Sequence, residues 1–356
     1  MPMTHPCLHR RTAAALATAM LLAGCSLTGG DPTPPPSGGR DSTVVLVTHE
    51  SFKLPKKLIT RFEQDSGYTL DIRSAGDAGT LTNKLVLTQQ SPTGDVAFGV
   101  DNSFASRALD SGVFEKSDVS LPAGADAYAL PGGSEELKPI DSSSVCVNVD
   151  KPWFAGHHLA QPRTLADLVE PAYRDLMVIP AAPTSSPGMA FLLATIAEYG
   201  DGWPDYWAEL MANGAELTAG WSDAYFVDFT QGGGDGTRPI VVSYDSSPAF
   251  TVGEDGRSTT RALLSTCFRQ VEYAGMLAGT DNPEGARAVL EFLLSEDVQA
   301  ALPESMYVFP VRDGIALPPD WAKFARQPAS PYTVAPDEIT SQRDDWLTTW
   351  TEVTSR

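Results

Sequence analysis

Along the chain, short apolar runs alternate with longer stretches whose apolar residues recur every three or four places. Val44–Val47 is a four-residue apolar run and predicts a buried strand, and Leu58, Ile59 and Phe62 behind it share one face of a helix. The same pair of patterns returns at Leu70–Arg73 with Leu81 and Leu85, and again at Asp95–Val100 with Ala105, Ala108 and Leu109. It restarts at Leu176–Ile179, followed by a helix from Pro187, and Ile240–Tyr244 adds a further strand. Near the end, "PEGARAVLEFLLSEDVQAAL" reads as one amphipathic helix with Ala286, Leu290, Leu293 and Leu294 inward. Strand–helix alternation predicts an α/β fold with a parallel sheet covered by helices.

Open α/β sheets bind ligands beyond the carboxyl ends of their strands. That rule selects five loops: Thr48-His49-Glu50-Ser51, Gly76-Asp77, Asp101-Asn102, Thr184–Gly188 and Tyr244–Phe250. All are polar or aromatic. "TSSPG" at 184–188 fits a helix start, with Ser186 as N-cap and Pro187 at the first helical position. One hydroxyl suffices for a cap. Thr184, Ser185 and Ser186 together at the positive end of a helix also make a seat for an oxyanion or phosphate. In "GWSDAYF", Trp221 and Tyr225 stand four apart and share a helical face, as core or as a ligand platform. Tyr244, Ser246, Ser247 and Phe250 supply a second aromatic and hydroxyl group. Aromatic faces with scattered carboxylates, here Asp77 and Asp101, suit a flat ligand carrying positive charge. Either acid can equally be a turn or cap residue.

The N-terminus adds an address. Arg10 and Arg11 precede an apolar small-residue run ending in Leu22-Ala23-Gly24-Cys25, which predicts a secretory signal over residues 1–24. The cysteine after Leu-Ala-Gly resembles the lipobox of bacterial lipoproteins, which makes Cys25 the expected lipidation site. The Gly/Pro/Ser-rich stretch over residues 25–41 then reads as an extended tether. Roughly 310 residues remain beyond it, room for two lobes of ordinary size. The 356-residue chain has a formal charge of −20, which argues against nucleic-acid partners and against docking on anionic lipid by charge. Cys7 leaves with the signal. Cys146 and Cys267 remain, an even pair in an exported chain, and predict a disulfide, the alternative being two buried free thiols. Both cysteines sit in strand-like stretches that a bridge would bring side by side.

"THESF", "GDAGTLTNKL", "DVAFGVDNSF", "PTSSPGMAFLL", "GWSDAY", "VSYDSSPAF", "QVEYAG" and "YVFPV" occur in an order that resembles the thiamine-binding lipoproteins and periplasmic proteins feeding ABC transporters. The resemblance covers essentially the whole body from Thr43. It implies a two-lobe type II periplasmic-binding fold with hinge strands and an interlobe ligand cleft. Lobe 1 would comprise residues 42–144 and 269–315 and lobe 2 residues 145–268, with the tail 316–356 assigned to neither. The implied ligand is thiamine or its mono- or diphosphate, with no catalytic cofactor and no metal. The implied partners are an ABC permease and ATPase, with a monomer held at the outer face of the membrane by its lipid alone. Asp77 would hydrogen-bond the aminopyrimidine, and Trp221 and Tyr244 would contact the rings. Ser185, Ser186 and Ser246 or Ser247 would cradle the phosphate end, with Tyr225 and Phe250 as supporting aromatics. Tyr307 falls where the family often has tryptophan, and His49 where relatives can carry tyrosine.

No Gly-x-Ser-x-Gly elbow, His-Glu-x-x-His helix or phosphate loop marks an enzyme. The adjacent His157-His158 pair sits in a polar connection, and adjacent histidines point apart. Ferric-ion binders of this fold use paired tyrosines, and no Tyr-Tyr pair occurs here. A polyamine binder remains the rival, since it too needs carboxylates and aromatic walls, although it has less use for the Thr-Ser-Ser-Pro-Gly seat.

Overall fold

A computed structural model describes residues 42–355; the signal, Cys25 and the tether lie outside the described residues. The chain opens with β1 (Thr43–Thr48), α1 (Lys56–Ser66), β2 (Thr69–Ser74), α2 (Ala78–Leu87), β3 (Val96–Asp101) and α3 (Ala105–Asp110). A short β4 (Phe114–Glu115) precedes the long β5 (Leu137–Asp150) and α4 (Lys151–Gly156). Next come β6 (Met177–Pro180), α5 (Ser186–Tyr199), α6 (Trp203–Ala212), β7 (Glu216–Thr218), β8 (Ile240–Tyr244) and β9 (Thr260–Ala262). The chain returns through β10 (Phe268–Leu277), α7 (Pro283–Leu293), α8 (Glu296–Met306) and β11 (Phe309–Pro310), and ends in α9 (Pro319–Phe324) and α10 (Pro336–Thr354).

One curled, mixed sheet carries the molecule, in the order β2-β1-β3-β10-β5-β8-β6-β7. Each flank is parallel, β2-β1-β3 on one side and β8-β6-β7 on the other. The all-parallel expectation fails in the middle. There β10 and β5 run antiparallel to each other and to their outer neighbours, because both strands cross between the two halves. Val145 of β5 marks the crossing, paired with Phe268 of β10 on one edge and Tyr244 of β8 on the other. This is the two-lobe α/β architecture expected. Cys146 and Cys267 are bridged there, 121 residues apart in sequence and 4.2 Å apart at Cα.

Local chemistry sets the helix ends. Asp77, Asp150 and Asn282 each accept a backbone N–H at the start of α2, α4 and α7. The long amphipathic run is two helices. Ser295 caps α8 at Val298 N, and Glu296 and Asp297 fill the acidic first turn that a helix start favours. Leu290, Leu293 and Leu294 still face inward, packed with Leu46, Phe98 and Ile140. The C-terminal α10 packs on α6, with Trp350 set edge-on to Trp207 at 5.5 Å, while Arg343 lies over the Phe104 ring. The tail therefore braces the second half of the sheet and reaches the first. Among the described residues no helix is long and apolar enough to cross a membrane.

Candidate functional site

The loops selected from the sequence, which follow β1, β2, β3, β6 and β8, come into contact with segments of the opposite half of the sheet. Asp77 joins the halves. Its carboxylate accepts from Ala78 N at 2.6 Å in its own helix and from Trp221 N at 2.9 Å on the opposite side. Part of the side chain reaches solvent, yet the carboxyl end is enclosed. Desolvation raises its pKa against the pull of these hydrogen bonds. Thr80 N donates to Thr184 O at 3.2 Å, and the hydroxyls of Ser51 and Ser222 lie 3.5 Å apart. Gly79 makes the approach possible, since a Cβ there would stand 2.7 Å from the carbonyl carbon of Thr184 and 2.8 Å from Pro183 O.

The aromatic wall centres on Trp221, which is buried and stacks on Tyr225 at 5.1 Å. Tyr244 and Tyr307 present edges to it at 5.6 and 6.5 Å. Its ring N–H donates to Ser243 Oγ at 3.0 Å. The segment Asp223–Asp228 winds as a π-helix, a wide turn that often marks functional positions. Tyr307 ends α8 in the left-handed region at φ 65°, uncommon for an aromatic residue and suggestive of a constrained site. Ser246 Oγ holds its carbonyl at 2.5 Å, and Phe250 packs against its ring.

The hydroxyls sort differently from the sequence expectation. Ser185, not Ser186, is the N-cap of α5, and its side chain makes no capping bond. Ser186 is the first helical residue, and its Oγ donates to Asp101 Oδ2 while accepting from Gln270 Nε2 at 3.0 Å. Thr184 Oγ1 is spent on Ala219 O, and Ser247 on Ser243 and Tyr244 N. Ser185 Oγ, fully buried, lies near enough to Asp77 to favour its charged form yet meets no partner with hydrogen-bond geometry. His157 stacks on Trp153 at 3.8 Å, with Nδ1 2.8 Å from that residue's carbonyl, and takes no part in the cleft.

Three buried acids lie beside these loops, of which the sequence singled out Asp101 and missed Glu272 and Asp141. Asp101 of β3, Glu272 of β10 and Asp141 of β5 are register partners on three adjacent strands, so their side chains share one face. Asp101 Oδ1 caps its own turn, accepting from Ser103 N, Ser103 Oγ and Phe104 N, while Oδ2 takes the Ser186 bond from the other half. His49 Nε2 stands 3.4 Å from Glu272 Oε1, seated over Gly99, where any Cβ would strike its ring. Burial raises the pKa of all three acids, for Asp141 and Glu272 to well above the usual carboxylate range. Tyr244 feels Glu272, Asp77, Asp101 and Asp141 together. Single carboxylates inside "PIDSS" and "QVEYAG", flanked by buried apolar strand positions, were the available signal.

The family model for bacterial extracellular solute-binding proteins matches residues 91–330. The thiamine-binding periplasmic protein of Escherichia coli (strain K12) is 30% identical over 321 residues, covering 88% of this chain and 94% of that protein. Its namesake in Brucella suis biovar 1 is 28% identical over 334 residues, covering 90% and 95%. A solved periplasmic thiamin binding protein superposes with a TM-score of 0.78 at 29% identity, over 88% of this chain and 96% of that one.

Proposed function

The chain belongs to the bacterial extracellular solute-binding protein family, and from that premise we propose that it captures thiamine, free or phosphorylated, for an ABC importer. Its family consists of binding proteins, not enzymes, and such proteins work with a membrane transporter. The observation that carries the reading is Asp77 closing on Trp221 N beside the Trp221–Tyr225 stack. A carboxylate at the edge of an aromatic wall suits an aminopyrimidine, and the acids below suit a thiazolium cation. The named thiamine-binding relatives, matched over nearly their whole length, support the same ligand.

In this reading residues 42–144 and 269–315 form one lobe and residues 145–268 the other. Trp221, Tyr225, Tyr244 and Tyr307 flank the rings, His49 and Asp101 lie toward the floor, and Ser185 and Ser186 face the hydroxyethyl or phosphate end. Phe250, Thr184, Ser246 and Ser247 hold that wall from behind. Export to the periplasmic side, with a lipid on Cys25 as the membrane tether, completes the proposal, and a permease with its ATPase receives the ligand. Calorimetric titration with thiamine, its two phosphates and spermidine tests it. Tight binding of a thiamine species, lost in Trp221→Ala and Asp77→Ala, is expected; binding of spermidine alone would keep the fold and sink the ligand.

A further inference from the structure

Glu272 and Asp141 present an unbalanced charge problem. They face each other across β10 and β5, and Asp101 stands next to Glu272 on β3. Asp141 is fully buried, and neither of its oxygens finds a donor among the described residues. Two ionised carboxylates cannot hydrogen-bond to each other, because neither carries a proton. Other charged and titratable groups bear on the pair. Tyr244 of β8 bears on both acids and on Asp77 at the α2 cap, and Arg343 of α10 acts on Asp101. His49, from the loop after β1, is the base beside Glu272. No lysine or arginine forms an ion pair with either acid among the described residues. Like-charged carboxyls at one site resist double ionisation, and burial adds to that resistance.

We propose that Glu272 and Asp141 share one proton in the ligand-free protein and release it to solvent when the cationic ligand enters, so that capture is coupled to loss of a proton. This rests on the thiamine reading above. Burial raises the pKa of both acids, and the neighbouring Asp141 charge pushes that of Glu272 up further. The thiazolium then supplies the positive charge that the proton supplied, and both acids face it ionised. Proton and ligand compete, so affinity rises with pH over the range where the free protein holds the proton, by about tenfold per pH unit for one proton. The pair also selects, because a neutral ring of the same shape cannot displace the proton.

The test is titration of the full chain with thiamine at pH 7 in buffers of different ionisation enthalpy. Affinity is also measured from pH 6.5 to 8.5, above the range where the aminopyrimidine titrates. The expected result is release of close to one proton by the wild type and close to none by Glu272→Gln and Asp141→Asn, both still binding thiamine, less tightly. Tight thiamine binding by the wild type with no proton exchanged would overturn the proposal. So would an unchanged proton count in both variants, which would assign the proton to His49 or to the ligand. If thiamine does not bind the wild type at all, the parent reading fails and this one falls with it.

Discussion

Breaking the Cys146–Cys267 bridge is the perturbation whose cost follows most directly from the chain. The cysteines stand 121 residues apart, and closing a loop of that length in the unfolded ensemble contributes about 5 kcal/mol at 25 °C on the chain-entropy relation. With an unfolding entropy of about 2.1 cal/mol/K for each of roughly 310 residues, this corresponds to a fall of about 7 °C in Tm. Both sulfurs are buried among Ala262 and Leu264, so a Cys146→Ser/Cys267→Ser pair adds the cost of two enclosed hydroxyls. Cys→Ala at both positions is the cleaner variant. The bridge ties β5 to the start of β10 and so limits twisting of the two crossing strands, while its sulfurs pack with Ala262 and Leu264 and Trp221 packs with Tyr225 and Phe229. Calorimetric melting of the double Ala variant, with and without ligand, should show the loss in both states, while thiamine affinity moves by less than about threefold (within roughly 0.7 kcal/mol). A Tm within about 2 °C of wild type would refute the entropic argument. Loss of binding in a variant that still melts cooperatively would refute the separation of hinge from cleft.

Gly79→Ala should weaken ligand binding by tenfold or more, because the new methyl meets the Pro183–Thr184 backbone of the opposite half, and should also lower the ligand-free Tm, because it stands 2.9 Å from Phe104 Cζ in its own half; titration and melting measure the two effects. Ser185→Ala should cost about 1 kcal/mol more for thiamine phosphates than for thiamine if its hydroxyl meets the phosphate, and equal losses would place that end elsewhere. Burial lifts Asp245 from 3.8 to about 7. The folded state therefore binds the extra proton, and stability falls as pH climbs from about 4 to 7 and then levels. Asp245→Asn should remove that slope and gain up to about 4 kcal/mol at pH 8, seen as denaturant midpoints that no longer drop between pH 5 and 8.

The α/β class, the flanking strands and the bridge were legible because each rests on local signals: apolar runs, helical spacing and an even cysteine pair. The antiparallel crossing was not, since strand direction in the middle of a sheet depends on which distant segments pair. "LLSED" hid a helix break because Leu294 keeps the apolar stripe going while Ser295 restarts the capping pattern. Loop chemistry led to Asp77 and Trp221, which the structure brings into contact. It could not reveal that Thr184, Ser246 and Ser247 are spent on the protein's own carbonyls and hydroxyls. Glu272 and Asp141 escaped because a lone acid in a strand looks like an exposed alternation until its cross-strand neighbours are known.

The position of β10 has a consequence for how the molecule is made. Asn102, just past β3, accepts from Val271 N across 169 residues of chain, and β3 has no inner neighbour until β10 arrives between it and β5. The first half of the sheet therefore cannot finish before most of the chain is available. Pairings this distant in sequence are slow to form. In a polypeptide crossing a membrane from its N-terminus, about the first three quarters of the chain would have to emerge before the β2-β1-β3 half gained its inner neighbour. Such a delay keeps the chain threadable for as long as threading lasts, and it locks both halves in one late step.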